Sequence, residues 1–360
     1  MIIGVVVFAV YLYFFVGFNE IFIVIKNLNV TGYLFLYALA IGIMLLVMLC
    51  WVASWITLLK GLSVNIGLKK AFLYYWVGDF VDMVIPCPAV CGDATRLYLV
   101  QKETKNSYGA IAAAGVTNRI IAYSIITAGL SAGTIYILTL ETAPIFAINF
   151  LFIAWLGAIA WLSVLSYLAL SENAAKKLAT ILVKVLKTLR IRKYSESLSP
   201  KVQESLNLFH DGFRFFRANP RYLVMPVIFQ TLSFVLNLLV YVIVLSSLGF
   251  AHLSFDFFIV VYFLAGAIQD ATASFSVGGL EILLTSIFIF YGLSPAVSGV
   301  AAAILRSVTF WFPLVVGYIL LQVIGAKGLL KPKPAEENGA EQENKLFDDV
   351  PIPSAETQTK

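Results

Sequence analysis

Between residues 71 and 119 the chain sets Asp79, Asp82, Asp93, Arg96 and Arg119 around a Pro86-Cys87-Pro88 break and a Gly92-Asp93 pair, in a stretch otherwise apolar enough for lipid. Guanidinium forks bind phosphate, and carboxylates balance them or hold an amine or sugar. Each ionisable group at membrane depth costs about 2.5–3.5 kcal/mol on insertion scales. Such a cluster therefore persists only where it lines a polar cavity, pairs internally or sits at an interface. A second set, Asp270, Glu281 and Arg306, lies around a Gly278-Gly279 turn in residues 257–306. These eight charged residues are the candidate substrate-binding groups, with Pro86, Pro88, Gly92, Gly278 and Gly279 as the turns that aim them. No catalytic residue and no metal ligand is assigned.

Helices in a membrane must position them. The chain has 360 residues, 60% of them apolar and 12% charged, with a mean hydropathy of +0.90. A soluble domain carries about 25% charged residues, so composition excludes a soluble globule. Apolar runs of about 20 residues, without the ten-residue alternation of an outer-membrane barrel, make the class all-α and polytopic. Cys50, Cys87 and Cys91 lie in apolar or membrane-proximal stretches and read as small side chains rather than as a disulfide framework or metal site. No cofactor and no nucleic-acid partner is indicated.

Residues 2–18 and 33–58 read as two spans, followed by a basic loop with Lys60, Lys69 and Lys70. Residues 71–90 lead to a second basic stretch with Arg96, Lys102 and Lys105. The positive-inside rule wants both flanks in the cytoplasm. A re-entrant pair of half-helices meets that demand, since broken backbone at membrane depth is tolerated where protein or a cavity covers it. Residues 108–138 and 145–170 cross out and back. Residues 171–221 hold eleven of the 25 basic residues against four acidic ones, which places them in the cytoplasm. There Leu178, Ile181, Leu182, Val185 and Leu189 form an apolar stripe suited to an interfacial helix. Ser199 and Pro200 announce a second helix ending near Pro220. Residues 222–249 and 296–325 are further spans, with a second re-entrant element in 257–293.

The expected organisation is a first membrane half at 1–170, a cytoplasmic linker at 171–221, a second half at 222–326, and a disordered tail at 327–360. That gives about six full spans and two re-entrant helices, with both termini cytoplasmic, in a plasma membrane. Gly92 to Arg119 and Gly279 to Arg306 are each 27 positions, and each arginine closes an alanine-rich approach. With opposite orientations the halves form an inverted repeat, a plan in which broken helix ends aim their dipoles at a substrate.

At Pro86, Gly92-Asp93, Arg96, Arg119, Ser274, Gly278-Gly279-Leu280, Glu281, Arg306, Trp311-Phe312-Pro313 and Gly317, the chain resembles the transmembrane region of lysylphosphatidylglycerol synthases, over roughly residues 1–326. Several positions depart from that family's pattern: Asp93 stands where the family favours glutamate, and Cys87 and Cys91 where the first motif is more polar. Val277 stands where the second motif has proline, and Glu281 follows Leu280 directly. The resemblance implies a flippase-like protein that translocates or binds a phospholipid or lipid-linked headgroup, with an anionic or lipid-linked headgroup as its membrane-lipid partner. Members that aminoacylate lipid carry a separate soluble domain, for which the 34-residue tail is too small, so an enzyme is not expected. The alternatives are a polyprenyl-dependent glycosyl or headgroup transferase, using Asp79, Asp82, Asp93 and Glu281, and a non-transporting assembly partner.

Overall fold

The computed structural model describes residues 13, 30–85, 90–138, 145–174, 177, 195–248, 257, 261–262 and 276–325. Among these the chain is helical, with no strand. The helices are α1 (Val30–Gly61), α2 (Leu68–Val84), α3 (Cys91–Thr104), α4 (Tyr108–Leu138), α5 (Ile145–Leu170), α6 (Ser195–Ala218), α7 (Arg221–Ser247), α8 (Ser276–Phe290), α9 (Pro295–Arg306) and α10 (Phe312–Ile324), with a π-helical turn, Ser307–Trp311, joining the last two. Five stretches among the described residues are long and apolar enough to cross a membrane: Thr31–Gly61, Tyr108–Ile135, Phe152–Leu170, Arg221–Ser247 and Pro295–Gln322. The expected span at 2–18, the stripe at 178–189 and the tail fall outside the described residues.

α2 and α3 are not spans. At 1.5 Å per residue their 17 and 14 residues rise about 25 and 21 Å, short of a hydrocarbon core of about 30 Å. They fold back on one another as a hairpin whose two open ends meet. Lys70 near the start of α2 pairs with Glu103 near the end of α3, and the Asn106 amide donates to the Ser63 carbonyl at 3.5 Å. The same end of the bundle collects the end of α1 and the starts of α4 and α7. Gly61 lies against Phe216 and Tyr222, and Gly109 lies against Ser205 and Leu208.

Two apolar cores hold the bundle, and both rest on α1. Ala40, Ile43, Met44 and Val47 pack with Val240 to Leu245 of α7, Leu280 to Phe288 of α8 and Ala301 to Val308. One turn further on, Val52, Trp55, Ile56 and Leu59 pack with Ala71, Val100, Ala114 and Phe216. α10 lies on α2, where Trp76 Nε1 donates to the Pro313 carbonyl at 2.8 Å and Gly317 sits against Phe80. Exposed apolar side chains such as Phe35, Ile153, Val224 and Ile319 form the surface that lipid would wet.

Two expectations need correcting. α6 begins at Ser195, so Ser199 and Pro200 lie inside it rather than at its start. Pro200 is the sixth residue of α6, past the first turn whose N–H groups need no partner, so the helix runs on through it with one backbone hydrogen bond missing. Cys91 is disulfide-bonded, while Cys50 is a free buried thiol. Hydropathy reports burial of a cysteine but not the nearness of a second sulfur.

Candidate functional site

The hairpin closes tightly because two glycines face each other. A Cβ on Gly78 would stand 2.5 Å from Arg96 Cγ and Nε and 2.9 Å from the Gly92 carbonyl. A Cβ on Gly92 would overlap the Asp82 carboxylate and the Gly78 carbonyl. Closeness lets α2 cap α3 from outside. The N-cap of α3, Val90, offers no side-chain acceptor, and Asp82 Oδ1 accepts the Gly92 N–H at 2.7 Å instead. Asp93 follows in the first turn, where the helix dipole favours a negative charge.

Arg96 is the buried clamp of this corner. It donates to Asp93 Oδ1 at 2.6 Å, Asp79 Oδ1 at 2.9 Å and the Tyr75 carbonyl at 3.2 Å, and its guanidinium lies 4.2 Å from the centre of the Tyr75 ring. Asp93 Oδ2 takes Nε of Arg119, so one carboxylate bridges two arginines. The Arg96 side chain is 9% exposed and that of Arg119 is 23% exposed. Arg119 is therefore the arginine that still faces open space.

That space is a cavity of about 300 Å³ enclosed by both halves of the chain. Asp79, Asp82, Asp93, Arg96 and Arg119 line one wall. The lining also holds a neutral polar group, in which Asn118, next to Arg119 on α4, joins Gln230, Ser233 and Asn237 from α7. Asn118 Oδ1 accepts from Ser54 Oγ at 2.6 Å and from Gln230 Nε2 at 3.0 Å, while Ser233 Oγ donates to the Gln230 carbonyl at 2.8 Å. Thr309, Phe310 and Pro313 reach in from the π-helical turn and α10.

The second charged set stands behind this lining. α8 is kinked at Val277 and Gly278, and Gly278 has φ +88°, a left-handed value that glycine adopts without strain. Glu281, three residues past the kink, reaches back so that Oε2 accepts the Gly278 N–H at 2.6 Å, as the glutamate of a capping box does. Its Oε1 takes Arg306 Nε at 3.0 Å, with both side chains under 5% exposed. The Arg306 guanidinium lies 4.4 Å from the centre of the Phe310 ring, and Phe310 is a cavity residue. Glu281 and Arg306 themselves are not among the lining residues.

The profile of the lysylphosphatidylglycerol synthase transmembrane region matches residues 1–317. The chain belongs to this family. It is also similar to a UPF0104 membrane protein of Pyrococcus horikoshii, 22% identical over 79% of this chain and 85% of the relative. A UPF0104 membrane protein of Methanocaldococcus jannaschii is 21% identical over 86% and 90% of the two chains. No solved structure matches.

In this member of the lysylphosphatidylglycerol synthase transmembrane family, five of the eight charged candidates meet at one cavity wall, and Glu281 and Arg306 pair behind it. Asp270, Pro86 and Pro88 lie outside the described residues. Gly92 sits in the hairpin contact, Gly278 at the kink of α8, and Gly279 begins the helix beyond that kink. The sequence reading missed the neutral wall. Its signal is present as Gln230, Ser233 and Asn237, at spacings of three and four within the apolar run of α7.

Proposed function

We propose that this family member receives the polar headgroup of a membrane lipid in the cavity between its halves and carries it across the bilayer. One observation carries the reading: a cavity with charged and amide side chains in its lining inside a bundle of apolar spans, where Arg119 and Asp93 stay partly open to the space they line. Charges kept only to lock helices together would be as closed as Glu281 and Arg306 are. Arg119 offers a fork to phosphate, and the excess of carboxylates on its wall suits an amine or hydroxyls carried by the same headgroup. The family match supports a lipid partner.

The proposed mechanism needs two halves of opposite orientation. Tyr108 and Pro295, which begin α4 and α9, are 187 positions apart, as are Gly92 and Gly279, and Arg119 and Arg306. Leu138 and Ile324, which end α4 and α10, are 186 apart. This register supports an internal repeat, and the basic loops at the open end of the hairpin support a cytoplasmic face there, in a plasma membrane. Transfer of a labelled phospholipid between leaflets of proteoliposomes is the test. Wild-type protein is expected to speed it well above empty vesicles, and Arg119→Gln to lose at least about tenfold of that rate, as befits a lost charge-assisted contact. A wild-type rate equal to that of empty vesicles overturns the proposal.

A further inference from the structure

The neutral wall carries more hydrogen-bonding capacity than the protein uses. Asn118 spends its carbonyl oxygen on Ser54 and Gln230, while its own amide N–H groups make no bond among the described residues. Gln230 donates through Nε2 and accepts nothing through Oε1. Asn237 Oδ1 is fully buried with no hydrogen-bond partner. These three side chains come from two spans, and two of them are nearly closed to solvent, Asn118 at 6% and Gln230 at 4% exposure. An amide placed in a span without a partner is costly, so a cavity occupant that completes it is favoured.

The kind of occupant follows from the inventory of donors and acceptors. An ammonium only donates, so it can use Gln230 Oε1 but leaves the amide N–H groups of Asn118 and Asn237 unpaired. A phosphate only accepts, so it can use the amide N–H groups but leaves Gln230 Oε1 unpaired. A hydroxyl does both, and it carries no charge to bury. Resting on the headgroup site proposed above, we infer that the Asn118, Gln230 and Asn237 wall reads hydroxyl groups, and that the cavity takes a phosphorylated polyol: phosphate toward Arg119, hydroxyls toward the amides. The volume of about 300 Å³ lies at the small end of ligand sites, which fits a headgroup whose acyl chains stay outside.

The test is calorimetric titration of the purified full chain in detergent with four short-chain lipids of identical acyl groups: phosphatidylinositol, phosphatidylglycerol, phosphatidylethanolamine and phosphatidic acid. The two hydroxylated lipids are expected to bind about tenfold or more tighter than the other two, since a buried polar wall left unpaired penalises the analogue lacking its hydroxyls. Asn237→Leu removes no hydrogen bond among the described residues and is expected to cut that preference to under about twofold. Gln230→Leu should act in the same direction. Equal affinity for all four lipids means that water alone completes the wall and overturns the inference while leaving the headgroup site standing. Absence of binding by any of them overturns both. Inositol 1-phosphate and glycerol 3-phosphate form a soluble arm. Affinity equal to that of the matching lipids keeps the amide wall as a hydroxyl reader and overturns a membrane lipid as its source.

Discussion

Gly78 and Gly92 decide how closely the hairpin can carry its charges. With a methyl at position 92 the Asp82 carboxylate must leave the Gly92 N–H, and the start of α3 loses its cap. Gly92→Ala is therefore expected to cost about 2 kcal/mol or more, in the range of overpacked sites. Gly157→Ala is the control, because a Cβ there meets nothing within 4 Å. Thermal unfolding of the two variants in detergent should separate them, and equal melting temperatures would show that the hairpin opens without cost. The buried Glu281–Arg306 pair makes a different demand. Arg306→Met leaves a buried carboxylate alone and is expected to cost about 3–5 kcal/mol. Adding Glu281→Gln should recover part of it, since glutamine can still accept from Gly278. A double variant as unstable as the sum of the single ones would mean that the two side chains act independently. At this scale the sequence was legible where residue type is costly: charges in an apolar run, Gly92 and the Gly278-Gly279 turn stand out by themselves, while Gly78 did not. Asn118, Gln230 and Asn237 were not legible, because an amide in a span raises no alarm until its neighbours across the bundle are known.

Helix boundaries were legible where a local signal sets them. Gly292 at φ +90° closes α8, Ser294 accepts the Val297 N–H, and Pro295 opens α9, so the stop and the start are written in four consecutive residues. The spans expected at 108–138 and 145–170 coincide with α4 and α5, where an apolar run is bounded by polar residues and proline in the sequence. The start of α6 was not legible, since Ser199-Pro200 carries the signature of a helix start while the helix runs through it from Ser195. The kink of α8 offers a test at this scale. Gly278→Ala places a side chain at φ +88°, where Cβ crowds the carbonyl, and should cost about 1–2 kcal/mol. Gly279→Ala, with open space around its Cβ, should leave the melting temperature unchanged. If both are silent, the kink is held by tertiary packing and not by glycine.

For the molecule as a whole the sharpest question is the sidedness of its two halves. Asn65 and Asn106 sit at the two open ends of the hairpin, near one another through the Ser63 contact. Single cysteines there, in a background without the native three, are expected to react with an impermeant reagent from the cytoplasmic face alone. A cysteine at Ser294 is expected to react from the opposite face alone. Labelling of 65 and 294 from the same side would rule out opposite orientations for the repeat, and with them the transport scheme that depends on it. Composition made the membrane and the helical class legible at this scale. How the halves share a cavity was not, because the contacts that enclose it join residues more than a hundred positions apart, such as Asn118 and Gln230.

α1 belongs to both apolar cores, handing over from one to the other between Val47 and Val52. A rod gripped at two heights is a shared spine. Turning one half against the other would twist it there and would also shift the contacts of α2 with α10, Trp76 with Pro313 and Phe80 with Gly317. Trp51 sits in this interval and also lines the cavity. Any rocking of the halves would therefore sweep an indole across the binding space, so the volume offered to a headgroup and the angle between the halves are one mechanical variable.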